Sequence, residues 1–380
     1  MKVLYVLNAK FMGGATISLF NMLKMLKKDV TPVFVVPRKG LTDDTFISFV
    51  KKNNIKLYEI PVCVHAIYKP NCIMSVIKWP ISFILMCVRH YFSLFLLDKI
   101  VEKERPDIIH TNVGVVWEGL EISKTKAIPH VWHVREYQDL DFDWMIIPSK
   151  QTYIKHLLSS DVVITISNGI RNHFDLDKSS NVETVYNGIY SSSECRLEMP
   201  KSDYFLCASR IVPEKGHEDV IRAFAEFYKK DHSHRLKIAG FGDSSFITKL
   251  GNLSKTLGCY EAIDFVGYHE DMRDLLSHAK ALIVASHFEG FGRMTAEAAF
   301  MGCLVIGRNS GGTKEIIDKT GGFLFSNINE LESEMEEIAS IDDSEYQALA
   351  QRAQSVAKLN YSTEKNASYI LSIYKRLLNL

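Results

Sequence analysis

Short apolar runs alternate with longer amphipathic segments along most of the chain. The runs at 30–36 and 161–167 are rich in β-branched residues and are typical of buried strands. Between such runs, apolar residues recur every three positions, as at Ile17, Phe20 and Leu23, which indicates helices with one buried face. This alternation predicts the α/β class, with doubly wound parallel sheets that carry helices on both faces.

The predicted elements fall into two groups separated by a segment without periodicity. Residues 191–202 contain a serine run, scattered charges and a proline, and they are predicted to form a linker. The sequence therefore predicts an N-terminal domain at 1–190 and a C-terminal domain at 203–360, each large enough for its own core. A last helical pattern follows at 363–380. The clearest predicted strands lie at 1–7, 30–36, 55–60, 106–110, 129–134, 161–167, 184–186, 203–209, 236–239, 262–267, 281–285, 304–307 and 322–325.

One stretch, 73–97, is more apolar than the helices around it. Lysine, proline, arginine and histidine interrupt it, which leaves ten uncharged residues at 79–88. Because a helix that crosses a membrane needs about 20 apolar residues, we expect either a core helix or one that lies in a membrane interface.

The charges are balanced overall but unevenly distributed. Lys+Arg and Asp+Glu each total 45, so the net charge is zero and a nucleic-acid partner is not favoured. Residues 1–99 nevertheless carry 14 basic and 5 acidic side chains. This excess indicates an anionic partner, either a membrane surface or a phosphorylated acceptor, or else only a solvated lysine-rich face.

The numbers and spacing of cysteines and histidines indicate which cellular compartment and which metal sites to expect. The seven cysteines include no C-x-x-C pair, and Cys87, Cys207 and Cys303 lie in apolar segments where buried thiols are expected, so a reducing, cytoplasmic compartment is predicted. Thirteen histidines show no H-E-x-x-H spacing, and we predict no metal site. The Asp-x-Asp triplet at 141–143 lies far from the candidate site described next.

The candidate chemistry is concentrated in one stretch after the predicted strand at 281–285. That strand is followed by a turn containing Gly290 and Gly292 and then by a helical pattern. A loop that leads into a helix N-terminus binds anions, because unpaired N–H groups and the helix dipole face the ligand. Glu289 and Glu297 flank the turn with seven residues between them. Unless both are ordinary solvated acids, they suggest a ligand with phosphates at its middle and hydroxyls on either side, as in a sugar nucleotide.

Other candidates lie at the predicted carboxyl ends of strands, where open parallel sheets bind ligands. Arg210 and Lys215 follow the strand at 203–209 and would offset the charge of a diphosphate, although a plain surface pair is the alternative. His133 ends the strand at 129–134, a position that a packed core histidine also occupies.

Taken together, these strings resemble the donor-site signature of the retaining glycosyltransferases of family 4. The resemblance is carried by E-G-F-G at 289–292 and by the Glu-x7-Glu pair. The string R-I-V-P-E-K-G at 210–216 is similar to the family's GR-x4-KG element, with Ser209 in place of its usual glycine. The resemblance implies the GT-B fold, in which two Rossmann-like domains enclose the active site in the cleft between them, and in which the final helix packs back on the first domain.

The resemblance also implies an activity and a set of site residues. The expected reaction is retaining, metal-independent transfer of a sugar from a UDP- or GDP-linked donor to a glycan or polyprenyl-diphosphate-linked acceptor, without a cofactor. The expected setting is polysaccharide biosynthesis of the capsule or O-antigen type, in the cytoplasm or at the inner face of an anionic membrane. The implied catalytic residues are Glu289 and His133, and the implied donor-binding residues are Gly13, Gly14, Arg210, Lys215, Tyr268, Gly290, Phe291, Gly292, Met294, Thr295 and Glu297.

Two other functions remain open from the sequence. A non-catalytic protein of the same fold would bind a nucleotide sugar without transferring it. A glycoside hydrolase would use the two glutamates as its carboxylate pair, about 5–10 Å apart. Turnover of a nucleotide sugar distinguishes the transferase from both.

Overall fold

The computed structural model describes two compact units. The described residues are 1–69, 73–142 and 144–380, with backbone alone for 73–79, so Asp143 of the Asp-x-Asp triplet lies outside them. Unit 1 comprises Met1–Gly188 and Thr363–Leu380, and unit 2 comprises Ile189–Ser362. The predicted linker at 191–202 groups with unit 2.

Unit 1 is built on a seven-stranded parallel sheet. Its strand order is β3-β2-β1-β5-β6-β8-β9, so the chain starts in the middle and extends the sheet in both directions. Large apolar side chains such as Tyr5, Phe34 and Phe46 are fully buried against it. The strands of this sheet are β1 (Lys2–Val6), β2 (Thr31–Pro37), β3 (Lys56–Ile60), β5 (Ile108–Thr111), β6 (His130–Val134), β8 (Val162–Thr165) and β9 (Val182–Thr184).

Helices cover the sheet of unit 1. The last helix of the chain belongs to this unit, because Ala367, Ile370 and Tyr374 are buried in the same core as β1 and β2. The helices are α1 (Gly14–Met25), α2 (Asp44–Lys52), α3 (Ile73–Glu104), α4 (Glu118–Lys126), α5 (Lys150–Leu158), α6 (Asn168–His173) and α14 (Thr363–Leu377).

Unit 1 also contains a small antiparallel ribbon that the sequence pattern did not predict. Strands β4 (Ala66–Tyr68) and β7 (Trp144–Ile146) pair with each other and not with the main sheet. Three residues are too short for a periodic signal, and the two strands lie far apart along the chain, so nothing local indicates the pairing.

The apolar stretch at 73–97 forms most of α3, and its exposure overturns one of the two expectations for it. A core helix is wrong for its middle part, since Ile81 and Leu85 are each 63% exposed. Further along, Leu97 is fully buried against the sheet. The helical segment Pro80–Glu104 is long enough and apolar enough to cross a membrane, judged by length and composition only. Only 11% of its most apolar part is buried inside the protein.

Unit 2 has a six-stranded parallel sheet in the order β12-β11-β10-β13-β14-β15. Its core includes Phe205, Phe224 and Ile306, which are fully buried. Two parallel sheets with helices on both faces confirm the predicted α/β class. The strands are β10 (Ser202–Ala208), β11 (Arg235–Ala239), β12 (Ile263–Gly267), β13 (Ala279–Val284), β14 (Leu304–Arg308) and β15 (Phe323–Phe325).

The helices of unit 2 alternate with these strands. Of the cysteines predicted to be buried, Cys207 and Cys303 are buried here, whereas Cys87 of unit 1 is only half-buried. The helices are α7 (His217–Tyr228), α8 (Ser244–Thr256), α9 (Arg273–His278), α10 (Arg293–Phe300), α11 (Gly311–Thr320), α12 (Ile328–Ser340) and α13 (Asp343–Tyr361).

Candidate active site

The glycine-bearing loop of unit 2 connects β13 to the N-terminus of α10, as the sequence predicts. Gly292 precedes the helix with a φ of +86°, a conformation that favours glycine, and α10 begins there without a side-chain cap. A Cβ on Gly292 would also lie 3.0 Å from the backbone nitrogen of Thr313. The glycine therefore lets the loop turn sharply and pack closely, so that the first-turn N–H groups of α10 can serve a ligand.

A second close approach holds this loop in place. The backbone N–H of Gly312 donates a hydrogen bond of 2.7 Å to the carbonyl oxygen of Glu289. A Cβ on Gly312 would lie 2.2 Å from the carbonyl oxygen of Phe291, so only glycine fits there. The Phe291 side chain is itself buried, with its ring 5.7 Å from that of Tyr361, so it anchors the loop to the rest of unit 2.

A cavity of about 210 Å³ lies where β10 and β13 end. Strand order reverses between these two neighbours, and in open α/β sheets ligands bind at such a switch point. The cavity combines cationic side chains, a carboxylate and the start of α10. Its lining includes Ser209, Arg210, Lys215, Ser286, Glu289, Gly292, Arg293 and Met294.

One predicted cation and one predicted acid form an ion pair in this cavity. Lys215 Nζ lies 2.6 Å from Glu289 Oε1, and the two side chains are 19% and 24% exposed. Lys215 is placed by the short 3-10 turn Pro213–Lys215, which Gly216 ends with a φ of +72°. A ligand that binds both residues must therefore separate them or insert between them.

Glu297 occupies a different environment, one turn into α10. Its side chain is 9% exposed, and its Oε1 lies 2.7 Å from Arg293 Nε. The hydroxyl of Tyr190 donates a hydrogen bond of 3.3 Å to Oε2. Burial, and then the nearby Glu297, raise the pKa of Tyr190 above its ordinary value, so that hydroxyl stays a donor.

Sequence reasoning missed both partners of Glu297. For Arg293 a signal existed, because residues four apart on a helix face each other and an Arg–Glu pair at that spacing is favourable. For Tyr190 no local signal existed, since it lies 107 residues away from Glu297.

Among the other predicted donor-binding residues of unit 2, Arg210 and Met294 line the cavity, whereas Thr295 and Tyr268 do not. Arg210 is exposed, and its side chain forms no ion pair among the residues that the structure describes. Thr295 is fully buried, and its hydroxyl lacks a hydrogen-bond partner within the described residues. Tyr268 follows β12, is 66% exposed and does not line the cavity, but its ring lies 5.8 Å from that of Phe241, which is also exposed.

The remaining predicted residues, Gly13, Gly14 and His133, belong to unit 1. Gly13 caps α1 in an extended conformation, with no side-chain cap on that helix. A Cβ on Gly14 would meet nothing within 4 Å, so neither packing nor backbone requires a glycine there. Both glycines lie at a second uncapped helix N-terminus.

His133 is buried at the end of β6. Burial, followed by the charge of Arg135, holds its pKa well below the ordinary range, so the ring is neutral. Arg135 Nη2 lies 3.3 Å from His133 Nδ1, and Arg135 also donates hydrogen bonds to Asn112 and Asn187. Nε2 of His133 has no hydrogen-bond partner among the described residues. His133 is 1% exposed, so a ligand would have to enter the buried space around the ring to contact this nitrogen.

Two family models match almost the whole chain. The model described as Glycosyltransferase Family 4 matches residues 12–192, and the model described as Glycosyl transferases group 1 matches residues 196–356.

Similar sequences carry glycosyltransferase names. An uncharacterized glycosyltransferase of Methanocaldococcus jannaschii is 25% identical over 76% of this chain and 81% of its own length. The N-acetyl-alpha-D-glucosaminyl L-malate synthase of Bacillus anthracis is 23% identical over 76% of this chain and 80% of its own.

Solved structures show the same fold. HepE of Anabaena, solved in complex with UDP, has a TM-score of 0.77 at 17% identity and covers 99% of this chain and 100% of its own. A glycosyltransferase of Rickettsia africae has a TM-score of 0.75 at 21% identity and covers 99% and 98%.

Proposed function

The chain belongs to glycosyltransferase family 4 and has the GT-B fold, and on that premise we propose which transfer it performs. The proposed reaction moves a sugar from a UDP- or GDP-linked donor to a glycan or polyprenyl-diphosphate-linked acceptor, with retention and without a metal ion at the diphosphate. The observation that carries the proposal is the cavity of unit 2, where Arg210, Lys215 and the start of α10 face Glu289. UDP is also the ligand named for the complex of HepE.

The donor diphosphate would bind between the two cations and the first turn of α10. Negative charge grows on the leaving phosphate as the sugar departs, and positioned cations and N–H groups stabilise that charge. Arg210 is exposed and has no ion-pair partner among the described residues, so it can turn to a phosphate at little cost. Lys215 would exchange the carboxylate of Glu289 for phosphate oxygens.

Glu289 would then accept hydrogen bonds from hydroxyls of the transferred sugar. Its Oε1 is released when Lys215 turns to the diphosphate, and both groups line the same cavity. Glu297 would accept hydrogen bonds from the ribose, because Arg293 and Tyr190 already fix its orientation. Tyr268 and Phe241 would offer exposed rings to the nucleobase.

Retention is proposed from the family resemblance. The bond between the anomeric carbon and the phosphate oxygen breaks, and the acceptor oxygen forms its bond on the same face of the sugar. A donor phosphate oxygen takes the acceptor proton. The neutral ring of His133 would help to hold the transferred sugar in position.

Binding and turnover assays with a donor panel test this function. We expect thermal shifts to identify one nucleoside diphosphate and its sugar, since a ligand that binds only the folded state stabilises it. Product NMR with an α-linked donor should show an α-linked product. Binding without transfer to any glycan or lipid-linked acceptor would favour the non-catalytic alternative, and release of free sugar alone would favour a hydrolase.

The metal independence of the transfer step is tested separately with EDTA. Because the two cations would do the work of a divalent ion at the diphosphate, activity should survive a brief treatment with EDTA. Loss of activity that Mg²⁺ or Mn²⁺ restores would contradict this part of the proposal and direct attention to the acids at 141–143.

We further propose that the exposed face of α3 rests on an anionic membrane surface. Exposed apolar side chains from Ile81 to Phe95 form this face. This face lies within the basic N-terminal part of the chain. An anionic membrane surface attracts the lysine and arginine side chains near it. Arg89 donates a hydrogen bond of 3.3 Å to the Pro61 carbonyl and Leu97 is buried, so part of this helix is held against the rest of unit 1, which favours contact with a membrane surface over a crossing.

Vesicle sedimentation tests the membrane contact. Binding to anionic vesicles should exceed binding to neutral ones and should fall as salt is raised. The double variant Ile84→Ser/Leu85→Ser should bind less, while Leu41→Ser, which changes a side chain 82% exposed elsewhere in unit 1, should bind as the wild type does. Equal sedimentation with neutral and anionic vesicles would contradict the proposal, and resistance to alkaline extraction would indicate a spanning helix.

A further inference from the structure

Three side chains of unit 1 converge away from the residues assigned to transfer. They are His65, His90 and Glu118, and one possible ligand atom from each lies within 4.8 Å of the other two. They belong to three separate segments: the stretch before β4, the middle of α3 and the first residue of α4. We propose that these three residues bind a divalent transition-metal ion, with Zn²⁺ as the metal.

Each of the three side chains has a buried polar atom without a partner. Within the described part of the chain, Nδ1 of His65, Nδ1 of His90 and Oε2 of Glu118 have no hydrogen-bond partner at normal geometry, although the Ser93 hydroxyl lies near enough to the Glu118 carboxylate to lower its pKa. Glu118 is 1% exposed and His65 is 4% exposed. Unsatisfied buried polar atoms are rare in native proteins and often indicate water or an ion that completes the site. Three of them from residues that already converge indicate one shared ligand.

Other contacts of the same side chains hold them in place, as contacts do around metal ligands. Nε2 of His90 lies 3.2 Å from Oε2 of Glu121. A carboxylate on the far nitrogen of an imidazole is the usual outer-shell partner of a metal-binding histidine, because it fixes the tautomer and the ring. Oε1 of Glu118 accepts a backbone hydrogen bond of 2.7 Å, which leaves Oε2 for the ion. The His65 ring stacks on Trp117 at 4.1 Å between centroids, which fixes its plane.

The charges in the cluster fit a cation. The Glu118 carboxylate is buried, and no lysine or arginine among the described residues forms an ion pair with it. A dication would supply the missing positive charge. The competing explanation is that His90 carries a proton, which would supply positive charge in place of a metal ion. Burial lowers the pKa of His90, but the hydrogen bond and the charge of Glu121 raise it, and on balance the pKa lies above its ordinary value.

The ligand set points to zinc. Two imidazole nitrogens and one carboxylate oxygen suit Zn²⁺ better than Mg²⁺ or Ca²⁺, which prefer oxygen ligands alone. Three protein ligands leave a fourth position for water. The ion would join α3 to α4 and to the segment before β4, so its role in this fold would be to anchor the middle of the exposed helix.

Metal analysis of the full-length protein, prepared without a histidine tag, tests the proposal. After equilibration with Zn²⁺ and dialysis into metal-free buffer, the wild type should retain about one zinc per chain. His90→Ala and Glu118→Gln should lose it. Glu121→Gln, which leaves all three ligands in place, should weaken zinc binding about 10- to 100-fold, the usual effect of removing an outer-shell partner. His173→Ala is the matched control, because this histidine of unit 1 bonds Asp139 instead.

Folding and site assignment are controlled in the same experiment. Far-UV circular dichroism and nucleotide binding by unit 2 should stay at wild-type levels in every variant that is compared. Co²⁺ added to the metal-free wild type should give visible ligand-field absorption, and His90→Ala should not. A wild type that retains no zinc overturns the proposal and leaves the protonated His90 as the explanation. Zinc that persists in both ligand variants overturns it as well, because the ion would then lie elsewhere.

Discussion

The ion pair between Lys215 and Glu289 leads to a prediction that separates binding from transfer. In the structure, Glu289 holds the lysine that the diphosphate is proposed to use. Changing Glu289→Gln removes this competitor while it keeps the size of the side chain. We therefore expect the variant to bind the nucleoside diphosphate more tightly than the wild type does, although it transfers sugar more slowly.

The geometry of the pair sets the magnitude. Nζ and Oε1 lie 2.6 Å apart, and both side chains are less than a quarter exposed, so water screens their attraction only partly. Ion pairs at such partly exposed positions contribute about 0.2–1 kcal/mol, and the upper end is appropriate here. Releasing the lysine should therefore improve the dissociation constant of UDP or GDP by about two- to fivefold. Transfer should slow by more than that, because hydrogen bonds to the sugar change as the glycosidic bond breaks.

Calorimetry with the nucleoside diphosphate and steady-state kinetics with its sugar measure the two effects. Glu218→Gln is the matched control, because it breaks another lysine–glutamate pair of unit 2, at 2.5 Å to Lys249, that does not line the cavity. In a Lys215→Met background the gain from Glu289→Gln should disappear. If Glu289→Gln weakens diphosphate binding as much as it slows transfer, the exchange of partners is refuted.

Three further changes test the rest of the site and its surroundings. Replacing Arg210 or Lys215 with Ala should lower kcat/KM by about 10²- to 10³-fold, as the loss of one positioned donor does, and full activity in the double variant would place the diphosphate elsewhere. Arg293→Met should lower the free energy of unfolding by about 1–3 kcal/mol in urea titrations, because the nearly buried Glu297 loses its cation; an unchanged midpoint would contradict this. Burial lowers the pKa of His130 from its ordinary 6.5 to about 3. At pH values between these two pKa values, His130 is protonated in the unfolded chain and neutral in the folded one. Stability should therefore fall as pH drops from 7 to 5, by up to about 1.4 kcal/mol per pH unit from this residue, and His130→Gln should show a smaller loss in the same urea titrations.

The parts of the fold that the sequence predicted are those with a local signal. A buried parallel strand is a short apolar run whatever its neighbours are, so the strand at 30–36 was found as Thr31–Pro37 and that at 304–307 as Leu304–Arg308. The exposure of α3 had no such signal. An apolar helix has the same composition whether protein or membrane covers it, and only its packing shows that Ile81 faces outward.

Side-chain clusters were predicted only where their members are close in sequence. Glu289 and Glu297 share one loop and one helix, and their spacing was visible at once. His65, His90 and Glu118 are separated by 25 and 28 residues in the numbering, so no metal motif contains them. The expectation that the chain has no metal site rested on motif spacing, which carries no information about residues that folding brings together.

The two glutamates look alike in the sequence, but their surroundings suit them to different work. Glu289 is 24% exposed and is held by one lysine on a short turn, so its partner can change when a ligand arrives. Glu297 is 9% exposed and is held by an arginine of its own helix and by Tyr190, so two contacts fix its orientation. A carboxylate that changes partners can respond to the charge that develops as a bond breaks, whereas a fixed one contributes equally before and during the reaction. The proposed roles, the transferred sugar for Glu289 and the ribose for Glu297, follow from the family resemblance, and this contrast supports them.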